Sequence, residues 1–354
     1  MSVEGAGDGA QGAAREPDGR PQGDARNANA QPARAGVRAP VVLIAFNRPE
    51  PTARVFASIR AARPSRLLLV CDGPRADRPG EAERCAEVRR ILGGVDWPCE
   101  VEHDYSDVNL GCRARVSSGI DWVFSRVEEA IILEDDVLPD PSFFPYCDEM
   151  LERYRADERV MTISGYNAFG ESVETRESYW FSAYPRSWGW ASWRRAWRGF
   201  DVGMSSWPAF RANQANRRLA AEEREAFIPW LDSVYEERQD TWDAQFLLMA
   251  WQKEALTAIQ RRNLIENLGF GAGATNTPTL PALCPARTWP MEFPLVHPAS
   301  VKRDRTQELQ WVRREHGIYG TAAGRAFKRH LRQAARWLRA RTWQRGAASR
   351  REVG

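Results

Sequence analysis

From Ala39 onward, short apolar runs alternate with longer amphipathic stretches. The first run, Val41 to Phe46, is uninterrupted and has the length of a strand buried on both faces of a parallel sheet. It is followed by "EPTARVFASIRAA", in which Val55, Phe56 and Ile59 recur at helical spacing. The pattern predicts a strand followed by a helix that packs on the sheet.

The same alternation predicts three more strands and two more helices. "RLLLVCDGP" and "PCEVEHD" have the length and composition of strands, and the charged stretch "GEAERCAEVRRILGG" between them is typical of a helix. "RVSSGIDWVFSRV" predicts another helix, and Ala130 to Leu133 a fourth strand. Strands that alternate with helices in this way indicate an open α/β sheet, mostly parallel, with right-handed crossovers.

Polar and charged residues follow three of these strands directly. They are Asn47-Arg48, Asp72-Gly73 and the carboxylate triplet Glu134-Asp135-Asp136. Ligands of open α/β sheets bind outside the carboxyl ends of the strands, so one crevice is expected to hold all three groups. The simpler alternative is that Asp72 caps a turn and the triplet caps a helix near Pro141.

Three adjacent carboxylates at the end of an apolar run repel each other and lose hydration. A helix cap needs only one of them. A divalent cation would make the arrangement tolerable, and Mn2+ or Mg2+ are the hard cations that prefer carboxylate oxygens.

The middle of the chain is strongly aromatic. After a predicted amphipathic helix, "PSFFPYCDEMLERYRADERV", and a strand, "VMTISGYN", comes "SYWFSAYPRSWGWASWRRAW". Trp188, Gly189 and Trp190 are expected to form a sugar or acceptor wall, since indole packs well on the apolar face of a sugar ring. The alternative is that these tryptophans fill the core.

Asp243 precedes the apolar run "FLLMAW" and is predicted in the first turn of a helix, where an acid can also simply favour the helix dipole. "TAIQ" predicts a short strand. "NLIENLGFGAGATNT" is a glycine-rich loop able to bring backbone amides near an anionic ligand, although it lacks the P-loop pattern.

Composition and charge set the domain boundaries. The 354 residues include 43% hydrophobic residues and 15 tryptophans, as expected for a folded globular protein. Residues 1–38 are predicted to be a disordered extension, 39–280 the main domain and 281–354 a C-terminal segment with a basic amphipathic helix. From Val301 onward there are fifteen Lys and Arg against four Asp and Glu. Within this segment Phe327, Leu331, Ala335 and Leu338 predict one face of a basic amphipathic helix, which either contacts an anionic membrane surface or packs on the protein.

Other partners are less favoured. A net charge of +3 gives no reason to expect nucleic acid, and four histidines without HxH or HExxH give none to expect zinc. The six cysteines show no CxxC pair and are expected to be reduced. No apolar run of eighteen residues and no signal peptide are recognisable, so a cytoplasmic location is expected, with room for peripheral contact at the inner membrane face.

Several stretches together resemble N-acetylglucosaminyltransferase I-like glycosyltransferases, particularly their bacterial branch. They are "AFNRP", "CDGP", "NLGCR", "IILEDDVLPDPSFFPYCDEML", "SGYN", "YPRSWGWASW", "TWDAQ" and "NLIENLGFGAGAT", in that order, between about Ala39 and Thr277. The resemblance implies a GT-A fold with a Rossmann-like N-terminal nucleotide-binding half. It also implies a nucleotide-sugar donor, expected to be UDP-linked, and a hydroxyl acceptor on a glycan, lipid-linked sugar or protein.

The resemblance also implies roles for individual residues. Asp136 would bind Mn2+, Glu134 and Asp135 would contact the donor sugar and ribose, Asp72 would read the uracil edge, and Arg48 would bind the nucleotide or its phosphates. Asp243 would be the catalytic base of an inverting transfer, with Asp240 or Glu237 next in line.

One departure from the family leaves alternatives open. Where many bacterial relatives have an acidic residue followed by "ATHT", this chain reads "GAGATNT", with Ala274 and Asn276. A nucleotide-sugar-binding protein without activity is therefore one alternative. A sugar nucleotidyltransferase is another, although "AFNRPEPT" lacks the glycine-rich loop with Arg and Lys that such an enzyme is expected to carry after its first strand.

Overall fold

The computed structural model describes residues 36–170, 175–213, 219–270 and 287–316. Within them the chain forms an α/β fold around a mostly parallel, eight-stranded mixed sheet. The strands in chain order are β1 (Val41–Ala45), β2 (Arg66–Cys71), β3 (Glu100–Tyr105), β4 (Glu129–Glu134), β5 (Val137–Pro139), β6 (Val160–Ser164), β7 (Tyr179–Ser182), β8 (Trp190–Trp193), β9 (Leu256–Gln260) and β10 (Ile265–Asn267). Strands β5 and β10 pair with each other in a separate antiparallel ribbon.

The strand order of the large sheet is β3-β2-β1-β4-β8-β6-β9-β7. Strands β1 to β4 pair in parallel, which confirms the four-strand unit predicted from the sequence. The chain runs outward from β1 to β2 and β3, and then returns to place β4 on the other side of β1. The gap between the carboxyl ends of β1 and β4 is therefore the topological switch point, where open α/β sheets bind ligands.

The helices in chain order are α1 (Pro49–Ala62), α2 (Glu81–Leu92), α3 (Gly111–Arg126), α4 (Phe143–Tyr154), α5 (Arg194–Trp197), α6 (Trp207–Ala212), α7 (Ala221–Tyr235), α8 (Asp243–Gln252) and α9 (Arg305–Glu315). Helix α1 starts with Pro49, which is well suited to a first helical position, and buries the predicted face of Val55, Phe56 and Ile59. The helix boundaries place Asp243 at the start of α8, as its sequence context predicts.

The C-terminal part of the described chain packs on the main domain. Arg303 joins two buried glutamates, Glu223 of α7 and Glu308 of α9, at 2.6 and 2.5 Å. Trp311 of α9 is buried beside Tyr184. Residues 287–316 thus belong to the same compact unit as the preceding domain.

The predicted N-terminal boundary needs a small correction. Val37 is buried, its N–H donates to the Ala62 carbonyl, and the N–H groups of Arg38 and Ala39 donate to Asp148. Residues 36–38 are therefore part of the fold, while residues 1–35 and the predicted basic helix at 327–338 lie outside the described residues. Among the helices of the described chain, none has the length and apolarity needed to cross a membrane.

Candidate functional site

A cleft of about 240 Å³ opens at the switch point, and we call it the strand-end cleft. Arg48 after β1, Asp72 after β2 and the triplet after β4 all contribute to its lining. Register explains the convergence, since Ile44 of β1 pairs with Glu134 of β4. The prediction that these three strand ends share one crevice is confirmed.

Arg48 lies between the two aspartates of the triplet. Its Nη2 is 2.5 Å from Oδ1 of Asp135, and its Nη1 is 2.7 Å from Oδ2 of Asp136. The other oxygen of Asp135 accepts the N–H of Phe46 at 3.0 Å, and this carboxylate is only 3% exposed. The chain thus supplies one cation of its own to the triplet, an outcome that the sequence pattern did not predict.

Glu134 is left without such a partner. Burial raises the pKa of Glu134 above its ordinary value, and the neighbouring carboxylates of Asp136 and Asp135 raise it further. Neither carboxylate oxygen of Glu134, nor Oδ1 of Asp136, hydrogen-bonds to another described residue. One arginine therefore does not satisfy all the negative charge at this strand end.

The oxygens of Glu134 and Asp136 that make no hydrogen bond to another described residue are of the type that divalent cations such as Mg2+ and Mn2+ prefer. Across the described ranges, no three Asp, Glu, His or Cys side chains converge as a preformed metal cage. A cation here would take one or two carboxylates, with Asp136 and Glu134 available, and complete its shell with ligand and water oxygens. That partial protein coordination is the usual arrangement for Mg2+ with phosphate ligands.

Asp72 is held in a dense set of hydrogen bonds. Its Oδ1 accepts the N–H groups of Gly73 and Leu110 at 2.9 Å, and its Oδ2 accepts from the Asn109 side chain at 2.9 Å and the Gly111 N–H at 3.2 Å. A carboxylate has about four acceptor positions, so all are used. This geometry favours the alternative in which Asp72 fixes the loop before α3.

Arg75 is a cleft residue that the sequence analysis did not identify. Its guanidinium lies over the Phe46 ring and binds Glu81, which is fully buried and also accepts from the Asn47 side chain. The hydrogen bonds from Arg75 lower the pKa of Glu81 to about 2. The position of Arg75 shortly after β2 was the available signal, since the same strand-end rule points to it.

Of the predicted Trp188-Gly189-Trp190 wall, Trp188 lines the strand-end cleft and the other two residues do not. Trp188 borders the strand-end cleft and contacts the rings of Tyr166 and Phe270, with centroids 4.6 and 5.8 Å away. Trp190 is fully buried in β8 and stacks on Trp242, so its assignment to the wall is wrong. An inward side chain follows from the alternation of faces along a strand.

Gly189 is also buried, and its lack of a side chain makes room for another residue of the protein and not for a ligand. Its φ of +63° lies in the left-handed region, and a Cβ there would be 2.4 Å from Ile265. The group that approaches Gly189 closely is the β10 side chain of Ile265, and the assignment of Gly189 to the ligand wall is wrong.

Asp243 faces a second cleft of about 430 Å³, which we call the aromatic cleft. Trp188 lines both clefts and forms their common wall. Burial raises the pKa of Asp243, while a hydrogen bond from the Thr241 hydroxyl lowers it. The charge of Asp243 also contributes, as the smallest of several causes, to the raised pKa of Glu134.

The two other candidate bases have different positions. Asp240 accepts the N–H groups of Cys112 and Arg113 at 2.8 and 3.0 Å, so it caps the start of α3 from a distant part of the chain. Glu237 is exposed and lines neither cleft. Of the three acids, Asp243, which is half-buried, is the one that lines the aromatic cleft.

The glycine-rich loop enters the site at its first residues. Leu268 N–H donates to the Asp136 carbonyl at 2.7 Å, and Gly269 lies so close to Asp136 that a Cβ there would be 2.0 Å from Oδ2. Ala274 and Asn276 lie outside the described residues. No family model matches this chain, and a search of curated proteins returned no match.

Proposed function

We propose that this protein is a metal-dependent, inverting glycosyltransferase of GT-A type that uses a nucleotide-diphosphate sugar. The observation that carries the proposal is the paired geometry around Trp188. A carboxylate strand end with unused oxygens lies on one side, and a half-buried carboxylate with a raised pKa lies on the other.

In this proposal the strand-end cleft holds the donor. Mn2+ or Mg2+, bound by Asp136 with Glu134 beside it, would supply Lewis-acid neutralisation of the diphosphate charge. Arg48, which Asp135 holds in place beside Asp136, would bind the same phosphates. Asn109 and Arg75 border the region in which the nucleoside would lie.

Asp243 would act as the base in the transfer itself. Its carboxylate takes the proton from the acceptor hydroxyl while that oxygen forms a bond to the anomeric carbon. The bond between the anomeric carbon and the phosphate oxygen breaks, and the diphosphate leaves with the electron pair. Attack opposite the leaving group inverts the configuration, which requires base and diphosphate on opposite faces of the sugar. A base whose pKa is raised toward neutrality is better matched to this task.

Binding of nucleotide-sugars is the direct test. The thermal midpoint of the full chain is measured with UDP-, GDP-, CDP- and dTDP-linked sugars, each with Mn2+ and with EDTA. A selective rise that requires both the nucleotide-sugar and Mn2+ is expected, because ligands that bind the folded state stabilise it. The absence of any rise across the panel would contradict the proposal.

Hydrolysis of the bound donor then separates an enzyme from an inactive binding protein. Slow release of free sugar and nucleoside diphosphate, with inverted anomeric configuration detected by NMR, is expected for a transferase. Release of a sugar 1-phosphate with pyrophosphate-dependent exchange would instead identify a nucleotidyltransferase.

A further inference from the structure

The aromatic cleft has flat apolar walls and a reactive group. Trp188, Trp230 and Trp311 line it together with Asp243. Indole faces are well suited to the apolar face of a sugar ring. A saccharide in this cleft would have its hydroxyls near Asp243 and its ring against tryptophan.

Arg186 adds a positive charge to the same cleft. Its guanidinium carbon lies 3.5 Å from the centroid of the Trp311 ring, so the cation stacks on indole. Burial lowers the pKa of Arg186 to about 10, at which the side chain stays charged at neutral pH. Among the described residues, no carboxylate lies within ion-pair distance of it and no acceptor takes a hydrogen bond from it.

The contrast with other buried arginines is informative. Arg303 is bound by two glutamates, and Arg48 by two aspartates. Desolvating a charged group without hydrogen bonds is costly, whereas a carboxylate or phosphate ligand can bind a guanidinium through two parallel bonds. Arg186 therefore has donors available for an anion that enters the cleft.

Glu315 provides acceptors on the same cleft. Its Oε2 is buried and has no hydrogen-bond partner, and burial raises its pKa while Arg186 lowers it. Glu315 and Arg186 influence each other without forming an ion pair among the described contacts. A ligand that fits both must carry hydroxyl donors as well as a negative charge.

We infer that the aromatic cleft binds the acceptor as an anionic saccharide, with its carboxylate or phosphate on Arg186 and its hydroxyls toward Glu315 and Asp243. The role of this saccharide as the acceptor rests on the proposed transferase function. Binding of an anionic sugar in this cleft stands on the described contacts alone. The shared chemistry is a sugar ring with one anionic group, which either a uronic acid or a sugar phosphate provides.

The test compares three probes on the full chain by isothermal titration or saturation-transfer NMR. They are methyl β-glucoside, which is neutral, methyl β-glucuronide, which carries a carboxylate, and glucose 6-phosphate. We expect at least one anionic probe to bind about ten- to a hundredfold more tightly than the neutral one, on the scale of a charge-assisted hydrogen-bond pair. Whichever of the glucuronide and the sugar phosphate binds more tightly identifies the anionic group as a carboxylate or a phosphate.

Variants locate the preference in the cleft. Arg186→Gln is expected to remove the preference for the anion, and Arg186→Lys to keep part of it, provided that each variant retains the near-ultraviolet spectrum of the wild type. Trp230→Ala should weaken neutral and anionic probes alike, because it removes stacking without changing charge. Arg90→Gln, a matched change at an exposed residue, should leave every affinity unchanged.

Two outcomes overturn the inference. One is equal affinity of the wild type for the neutral and both anionic probes. The other is an anion preference that survives in folded Arg186→Gln, which would place the anion elsewhere. If Arg186→Gln does not fold, the other two variants decide. The inference is then contradicted if Trp230→Ala loses the preference for the anionic probe while Arg186→Lys keeps it in full.

The same data separate this inference from the proposed function. Mn2+-dependent nucleotide-sugar binding without an anion preference leaves the transferase proposal standing and removes the acceptor class. An Arg186-dependent anion preference without any nucleotide-sugar binding supports the cleft assignment and contradicts the transferase.

Discussion

Nη1 of Arg48 lies 2.7 Å from Oδ2 of Asp136 and joins the carboxyl end of β1 to that of β4. The same guanidinium binds Asp135, so the chain holds a cation of its own at the carboxylate triplet. The repulsion between adjacent carboxylates is thus relieved in part before any ligand binds. Among the described residues, the carboxylate of Glu134 has no cation of the protein as its partner, and its pKa is raised.

Loss of Arg48 is expected to destabilise the fold. Arg48→Gln leaves the almost fully buried Asp135 without its ion partner, and breaking a buried pair in this way costs about 3 kcal/mol or more. The free energy of unfolding is measured with urea at pH 7. Arg90→Gln, at an exposed pair, is the control and should leave the free energy of unfolding nearly unchanged. A similar small loss for both variants would show that Arg48 is not structural.

Asp136→Asn is expected to abolish Mn2+-dependent donor binding while the fold stays intact. An amide is a poor ligand for a hard cation, and loss of outer-shell partners alone costs about 10- to 100-fold in metal affinity. The affinity for nucleotide-sugar is measured by calorimetry with Mn2+ and with EDTA. Asp157→Asn removes one carboxylate from a surface pair and serves as the control. Unchanged Mn2+-dependent binding by Asp136→Asn would rule out this residue as the ligand.

Asp243→Asn should separate binding from turnover. The amide keeps the size of the side chain but cannot accept the proton, so turnover should fall by about a hundredfold or more while donor affinity stays the same. Asp240→Ala is the contrasting variant. It removes a helix cap and should cost about 0.5–2 kcal/mol of unfolding free energy. Near-normal turnover in Asp243→Asn would exclude it as the base, and a collapse of donor binding would indicate a structural role.

Asp72→Asn tests whether Asp72 fixes the loop before α3 or recognises the uracil of the nucleotide. The amide nitrogen would face N–H donors that the carboxylate now satisfies, so we expect a loss of about 1–3 kcal/mol in unfolding free energy. The preference between UDP- and CDP-linked donors should not change. A shift of that preference toward CDP without a loss of stability would instead support contact of Asp72 with the uracil edge.

Removal of the Thr241 hydroxyl should move the acid limb of the pH–rate profile. The hydroxyl donates to Asp243 and lowers its pKa, so Thr241→Val should raise that pKa further. A base acts only when deprotonated, so activity should rise as pH increases through the pKa of Asp243, and the rise should occur at higher pH in the variant. Thr241→Ser keeps the hydroxyl and should match the wild type. Coincident acid limbs for Val and wild type would mean that another group controls the profile.

The sequence by itself determined the α/β unit and the meeting of Arg48, Asp72 and the triplet. Apolar runs of strand length and amphipathic helices are local patterns, and parallel strands bring their carboxyl ends to one edge. The position of Asp243 at the start of α8 follows from local pattern in the same way. Each of these features follows from a pattern within one element, combined with the rule that parallel strands end at the same edge of a sheet.

Only the tertiary structure decided which side chains are already committed to the protein and which remain free for a ligand. Three N–H donors from residues 37 to 39 positions away occupy Asp72 together with the N–H of its neighbour Gly73. Burial in β8 removes Trp190 from the site, and Arg186 stacks on Trp311 across 125 residues of sequence. Hydrogen bonding and burial of this kind depend on contacts between distant segments. A strand pattern predicts that a residue lies at the edge of the sheet, but it does not predict which residues from distant parts of the chain pack beside it.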